Sequence, residues 1–572
     1  MDSGMRLHPG AGSRPGTRSH AGTRLRGPRT VTAVAGSVAL VLGALTGCST
    51  GSGAAGSGSA AGGPPRSGGT LRLAVDTQPD CLDPHQSPTQ AARLFARPIL
   101  DSLVYQDTEG GLHPWLATSW TVSKDGLRYT FQLRRGVTFT DGEVFDAAAV
   151  VANLNQVVAP ATKSLLAASL ISAFRSATAV APDTVETTLS RPDSGFLDAL
   201  ATPNLGIEAP KTLAGPSAAL CSRIVGTGPF LSKDGFVSQK GIDYTRNPAY
   251  EWAPASVSPG GPARLDAIDL TVVPDDDSRA GALTSGQVDA ATDLSPISLR
   301  TLKDTPGITV HSVAYPGADY SYWPNTESGP FADVRVRTAF REGIDWAAIV
   351  KNLDFGVYPT ASGPLSTTTP GYDPSLAPDY AYNLAAANTL LDEAGWSKRD
   401  AQGYRTRNGV RLTLRHLWSN PSIEDLAVQI QSAAKALGIQ TIEENVDAGT
   451  YVKDLLAGEY DLIDTSFAAP DPDVLRVLFS AANIPTAARG ISNNVSRYDN
   501  PVVEREFAQA EQATTQAAQY RSYDQVQQQI TADAAVFPVY QPLSSLAAVS
   551  SLQGVAFDVD GTPDFYHAWL AS

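Results

Sequence analysis

The chain has 572 residues, 42% hydrophobic and 18% charged, which is apolar enough for packed cores and long enough for several domains. Acidic residues outnumber basic ones 58 to 43. That balance excludes a nucleic-acid binder, because neutralising phosphates needs clustered Lys and Arg. Three cysteines without C-x-x-C spacing provide neither a disulfide scaffold nor a zinc site.

The first element is an address. Six arginines from Arg6 to Arg29 stand against one acid, Asp2, and precede an apolar run from Val31 to Leu45. That run is shorter than the roughly 20 residues a permanent spanning helix needs, so residues 1–47 read as a secretory signal. Leu45-Thr46-Gly47-Cys48 resembles the lipobox of bacterial lipoproteins. The resemblance implies cleavage before Cys48, lipidation of its thiol, and a protein anchored by lipid to the outer, extracytoplasmic face of the cytoplasmic membrane. Residues 48–69 are mostly Gly, Ser, Ala and Pro and read as a flexible tether. The formal G-x-G-x-x-G at Gly51–Gly56 has no strand before it and no helix after it, so it is not a dinucleotide site.

The body alternates strands and helices. Tyr129, Phe131 and Leu133 alternate with polar residues as a strand. Asp146 caps a helix running through Leu154, and Asn383 caps another that Gly395 ends. Leu412–Trp418 reads as a strand, Leu426–Leu437 as a helix stopped by Gly438, and Ile439–Val446 as the returning strand. Strand–helix–strand order predicts α/β lobes with partly parallel sheets.

Several segments then point to a family. They are Gly69–Arg72, Cys81–His85, Leu112–Trp120, Asp125–Arg134, Gly136–Gly142, Gly226–Phe230, Gly286–Asp289, Pro330–Ala339, Leu390–Trp396, Gly458–Asp461 and Pro470–Asp473. Their order resembles the family 5 extracellular solute-binding proteins of ABC importers, the peptide- and nickel-binding group. The resemblance implies an α/β, two-lobed, periplasmic-binding-protein-like fold with a hinge and an extra inserted domain, three structural domains in all. Residues 66–104, 225–312 and 541–572 would form a discontinuous first domain, 105–224 the insertion, and 313–540 the opposing lobe. It further implies a monomer that captures a peptide or other small organic solute and hands it to ABC permease subunits. The alternatives are a ligand-sensing lipoprotein on the same fold, or a binder of a sugar or metal chelate.

No P-loop and no H-E-x-x-H occurs, and no enzyme activity or cofactor is expected. The histidines after the signal, at 85, 113, 311, 416 and 567, are far apart, so no metal site is expected either. Asp275-Asp276-Asp277 reads as a solvated loop. Asp558-Val559-Asp560-Gly561 looks like half a calcium loop but lacks the Glu at position twelve. With Cys48 lipidated, Cys81 and Cys221 are read as a disulfide, the alternative being two buried thiols. In peptide-binding family members an Asp just before the Asp-Pro segment holds the ligand's amine. Ala468 occupies that place, three residues before Asp471, which disfavours ordinary peptides. Tyr320, Tyr322, Trp323, Trp418 and Phe467 are the aromatic candidates for the cleft, expected at strand ends or in loops, with core packing the competing account.

Overall fold

The computed structural model describes residues 64–571 apart from 165, 258–259, 421–422 and 514. The signal, the Cys48 anchor and most of the tether lie outside the described residues. No helix among the described residues is long and apolar enough to cross a membrane.

Strand Thr70–Val75 starts a seven-stranded mixed sheet. It pairs parallel with Ala267–Val272 on one side and Ala290–Thr292 on the other, while the remaining pairs are antiparallel. Leu71, Leu73 and Val75 face one core and Ala74 the other, as a parallel strand buried on both faces requires. Residues 117–189 fold into a four-stranded antiparallel sheet. Its strand Arg128–Leu133 buries Tyr129, Phe131 and Leu133, as the alternation requires. Helix Ala147–Val158 begins where Asp146 accepts the Ala149 amide at 3.0 Å.

The five-stranded sheet runs in the order Gln440–Asn445, Thr413–Trp418, Leu462–Ala468, Gly317–Pro324, Phe537–Tyr540. Helix Glu424–Leu437, ended by left-handed Gly438, makes the parallel crossover between its first two strands. The chain passes between the seven- and five-stranded sheets twice, at Ala314 to Gly317 and at Tyr540 to Leu543. The two crossings lie side by side, with the Tyr315 amide donating to the Pro542 carbonyl at 3.0 Å.

The apolar clusters show how these sheets group. The seven- and four-stranded sheets share one core, from Leu71 through Phe131 to Leu546. The five-stranded sheet has its own cores on its two faces. The result is a mixed α/β molecule of two bodies. A disulfide joins Cys81 to Cys221 within the first. One local expectation is corrected. Asp275–Asp277 does not form a solvated loop: Asp275 caps helix Asp276–Thr284, and Asp276 accepts from Ser295 and Ser298. Asp558 and Asp560, in the segment already rejected as a calcium loop, ion-pair with Arg97 and Arg93 at 2.5 and 2.7 Å, buried on both sides.

Candidate functional site

A cavity of about 320 Å³ lies where the two bodies meet. From the five-stranded body it takes Phe467 and Ala468, at the end of strand Leu462–Ala468, and the following Asp471, Asp473 and Arg476. The Ala469 amide donates to the Pro316 carbonyl, which fastens this loop to a crossing segment. Opposite stand Ser169, Asp193, Gly195 and Asn204 of the first body, with Arg93 and Asp560 contributed by the seven-stranded region. The bodies touch around the cavity. Arg191 pairs with Glu511 at 2.8 Å, Ser194 Oγ donates to the Ala510 carbonyl at 3.1 Å, and Gln516 Nε2 donates to the Gly110 carbonyl at 2.9 Å.

Carboxylates dominate this junction. Asp473 is neutralised by Arg476, through Nε at 2.9 Å and Nη2 at 2.6 Å. Among the described residues the Asp471 carboxylate accepts the Asp473 amide at 2.6 Å and the Asp193 carboxylate the Gly195 amide at 3.2 Å, with Arg191 and Arg476 acting on Asp193 through space. Burial, with Asp473 nearby, pushes Asp193 up to about 6. Burial also raises Asp198 to about 7, and lifts Asp471 well above the ordinary range with help from Asp473, Asp198 and Asp193. Such a site has an excess of negative charge that a cation entering the cavity would relieve.

Of the expected ligand contacts, Phe467, Ala468 and Asp471 line this cavity. Tyr320, Tyr322, Trp323 and Trp418 do not. The first three lie within strand Gly317–Pro324, not at its ends, and that strand is buried along its whole length. Tyr322 and Trp323 are fully buried, Trp323 donating to the Thr465 carbonyl at 3.2 Å. Tyr320 stacks on Tyr540 at 4.7 Å and donates to Asp464, which also receives His416 Nε2 at 3.2 Å. It borders a separate cavity of about 260 Å³. Trp418 packs in the same core. All four rings pack in the cores of the five-stranded body, and Tyr320 also borders that second cavity.

Asp193, Asp198 and Arg93 went unnoticed in the sequence, and Asp560 stood out there only as part of a rejected calcium loop. The only local signal was the turn-forming Pro192-Asp193, which says nothing about what lies opposite. A second omission is a group outside the cavity: Asp83 and His85, two residues apart, meet the sequence-distant Glu208 in the first body.

The family model described as bacterial extracellular solute-binding proteins, family 5 middle, matches residues 111–483. The chain belongs to this family. Among curated relatives, this family 5 protein is 28% identical over 473 residues to the glutathione-binding protein GsiB of Pectobacterium atrosepticum, covering 81% of this chain and 86% of that one. It is 27% identical over 483 residues to heme-binding protein A of Haemophilus influenzae, covering 80% and 83%. The structure of NikA from Brucella suis in complex with Fe(III)-EDTA superposes with a TM-score of 0.76 at 24% identity, covering 88% of this chain and all of that one. The family binds solutes outside the cytoplasm, so the cavity between the bodies is read as a binding site, not an active site.

Proposed function

We propose that the protein is the lipid-anchored receptor of an ABC importer, holding a compact, amine-bearing, peptide-like solute between two lobes and presenting it to the permease. The single observation that carries the ligand class is the pairing of Asp471 and Asp193 across the cavity, both without a cationic partner in their hydrogen bonds. An ammonium group between them removes the repulsion that closure creates, and it makes contact with both lobes only when they are shut. Closure is then favoured by ligand binding alone. The volume of about 320 Å³ sits at the small end of organic-ligand sites, which suits a dipeptide-sized solute. Relatives named for glutathione and for heme support a small organic cargo over an ion.

In this reading Ala468 does not remove the amine site but shifts it by three residues to Asp471. The crossings at 314–317 and 540–543 act as the hinge, residues 105–224 as the inserted domain, and the chain works as a monomer. Native mass spectrometry of protein from its own host identifies the carried solute. Calorimetry on stripped protein should show a dipeptide binding at least tenfold more tightly than its N-acetyl derivative. Asp471→Asn should erase that difference, since a hydrogen bond to a charged group contributes about 1.5–3 kcal/mol. Equal affinity for the free and acetylated forms would rule out amine capture here.

A further inference from the structure

The turn Leu82-Asp83-Pro84-His85 enters the interior of the first body, away from the ligand cavity. Asp83 and Glu208 are fully buried and His85 is 1% exposed. One donor atom from each lies within 4.8 Å of the others. Each residue is held by its surroundings. Asp83 Oδ1 accepts the His85 amide at 2.7 Å, and Oδ2 accepts Gln86 Nε2 at 2.7 Å. Glu208 is pinned through its backbone, its amide and carbonyl both bonded to Asn153 at 2.8 Å. Its side chain is another matter: among the described residues no N–H or hydroxyl group donates to either carboxylate oxygen, and its pairing is with the Asp83 carboxylate, which needs a shared proton or a cation.

The imidazole is fixed through both nitrogens. His85 Nε2 lies 2.8 Å from the Gly206 carbonyl and Nδ1 2.7 Å from Gln156 Oε1, both acceptors, so a cation bound at Nδ1 would displace the proton held in the Gln156 contact. Nδ1 is 3.8 Å from Asp83 Oδ1. Two atoms bound to one tetrahedral zinc at 2.0–2.1 Å lie about 3.4 Å apart, so a contraction of a few tenths of an ångström suffices. Gln156 Oε1, 2.7 Å from Nδ1, would draw back by several tenths of an ångström to serve as a fourth oxygen donor. Buried carboxylates need a compensating proton or cation, and a divalent cation in this group would supply that charge and release the protons it displaces.

We propose that Asp83, His85 and Glu208 form a buried site for a divalent cation, with the Gln156 oxygen as the adjoining donor. One imidazole nitrogen among carboxylates suits zinc better than calcium or magnesium. The cation fastens the turn after the first strand to helix Ala147–Val158 and to the segment carrying Glu208. The Asn204 side chain, which lines the ligand cavity, donates to the Pro84 carbonyl at 3.2 Å, so the site also steadies that wall of the cleft. None of the three ligands itself lines the cavity, and the site is independent of the solute carried.

The test is refolding. Non-reduced protein is unfolded with EDTA, refolded with or without one equivalent of Zn²⁺, desalted, and assayed for bound zinc and melting temperature. The wild type should retain one zinc per chain and melt several degrees higher with it. Glu208→Gln should retain less than a tenth as much and melt at the same temperature either way. Cobalt in place of zinc should give visible d–d absorption in the wild type, a readout that needs no variant. Wild-type protein that keeps no zinc and shows no cobalt spectrum would overturn the site and leave a proton shared between Glu208 and Asp83. Equal zinc retention by Glu208→Gln would overturn it as well, by placing the metal elsewhere.

Discussion

Asp193 and Asp198 bind protons more readily in the folded chain than in the unfolded one, because burial holds them at about 6 and about 7 against an ordinary 3.8. The sign follows. With more protons bound when folded, stability rises as pH falls through this window, and the penalty of burying the two charges is fully present above pH 7. His416 adds to the trend. Burial opposes its charge, but the hydrogen bonds it donates to Asp464 and Glu443 prevail and raise its pKa above 6.5. Its contribution is therefore complete below the unfolded value and lost as pH climbs through the folded one. The unliganded protein should melt at a higher temperature at pH 5.5 than at pH 7.5, and Asp193→Asn should flatten the difference. Affinity for an amine ligand should move the other way, falling below pH 6 as the carboxylates that hold it take up protons. Calorimetric melts and titrations across pH 5–8 decide both; an affinity that rises on acidification would refute the amine site.

At the scale of elements, the Gly226-Thr227-Gly228 turn illustrates why small residues sit where they do. A Cβ on Gly226 would lie 2.2 Å from the Ile99 carbonyl oxygen, and one on Gly228 2.6 Å from the same group. The Gly228 amide donates to that carbonyl at 2.8 Å. Close backbone approach is what these glycines permit. Gly226→Ala should cost about 1–3 kcal/mol through overpacking, measurable by denaturant unfolding. The disulfide acts nearby, closing a separation of 140 residues between Cys81 and Cys221. A non-reduced digest should yield the linked peptides. Cys81→Ser with Cys221→Ser should lower the melting temperature without abolishing folding, because the surrounding core is extensive. Strand Gly317–Pro324 carries a different lesson. Its aromatics resemble ligand stackers in sequence, yet a strand covered on both faces buries both sets of side chains, and period two cannot tell a core from a cleft.

At the scale of the whole molecule, location and fold were readable along the chain, and the contents of the cleft were not. Cys48 as anchor is tested by Cys48→Ala, which should move the protein from the membrane fraction to the medium; unchanged membrane association would refute the anchor. By itself the sequence determined the α/β class, the helix starting at Asp146, the crossover ending at Gly438 and the family, because caps, turns and periodicity act over a few residues. Tertiary structure alone decided that Asp193 faces Asp471, that Asp558 and Asp560 neutralise Arg97 and Arg93, and that Glu208 reaches Asp83 and His85. Those partners are separated by more than a hundred residues. Their carboxylates gain their chemistry only when burial removes water and folding supplies the neighbour, and neither event leaves a local mark in the sequence.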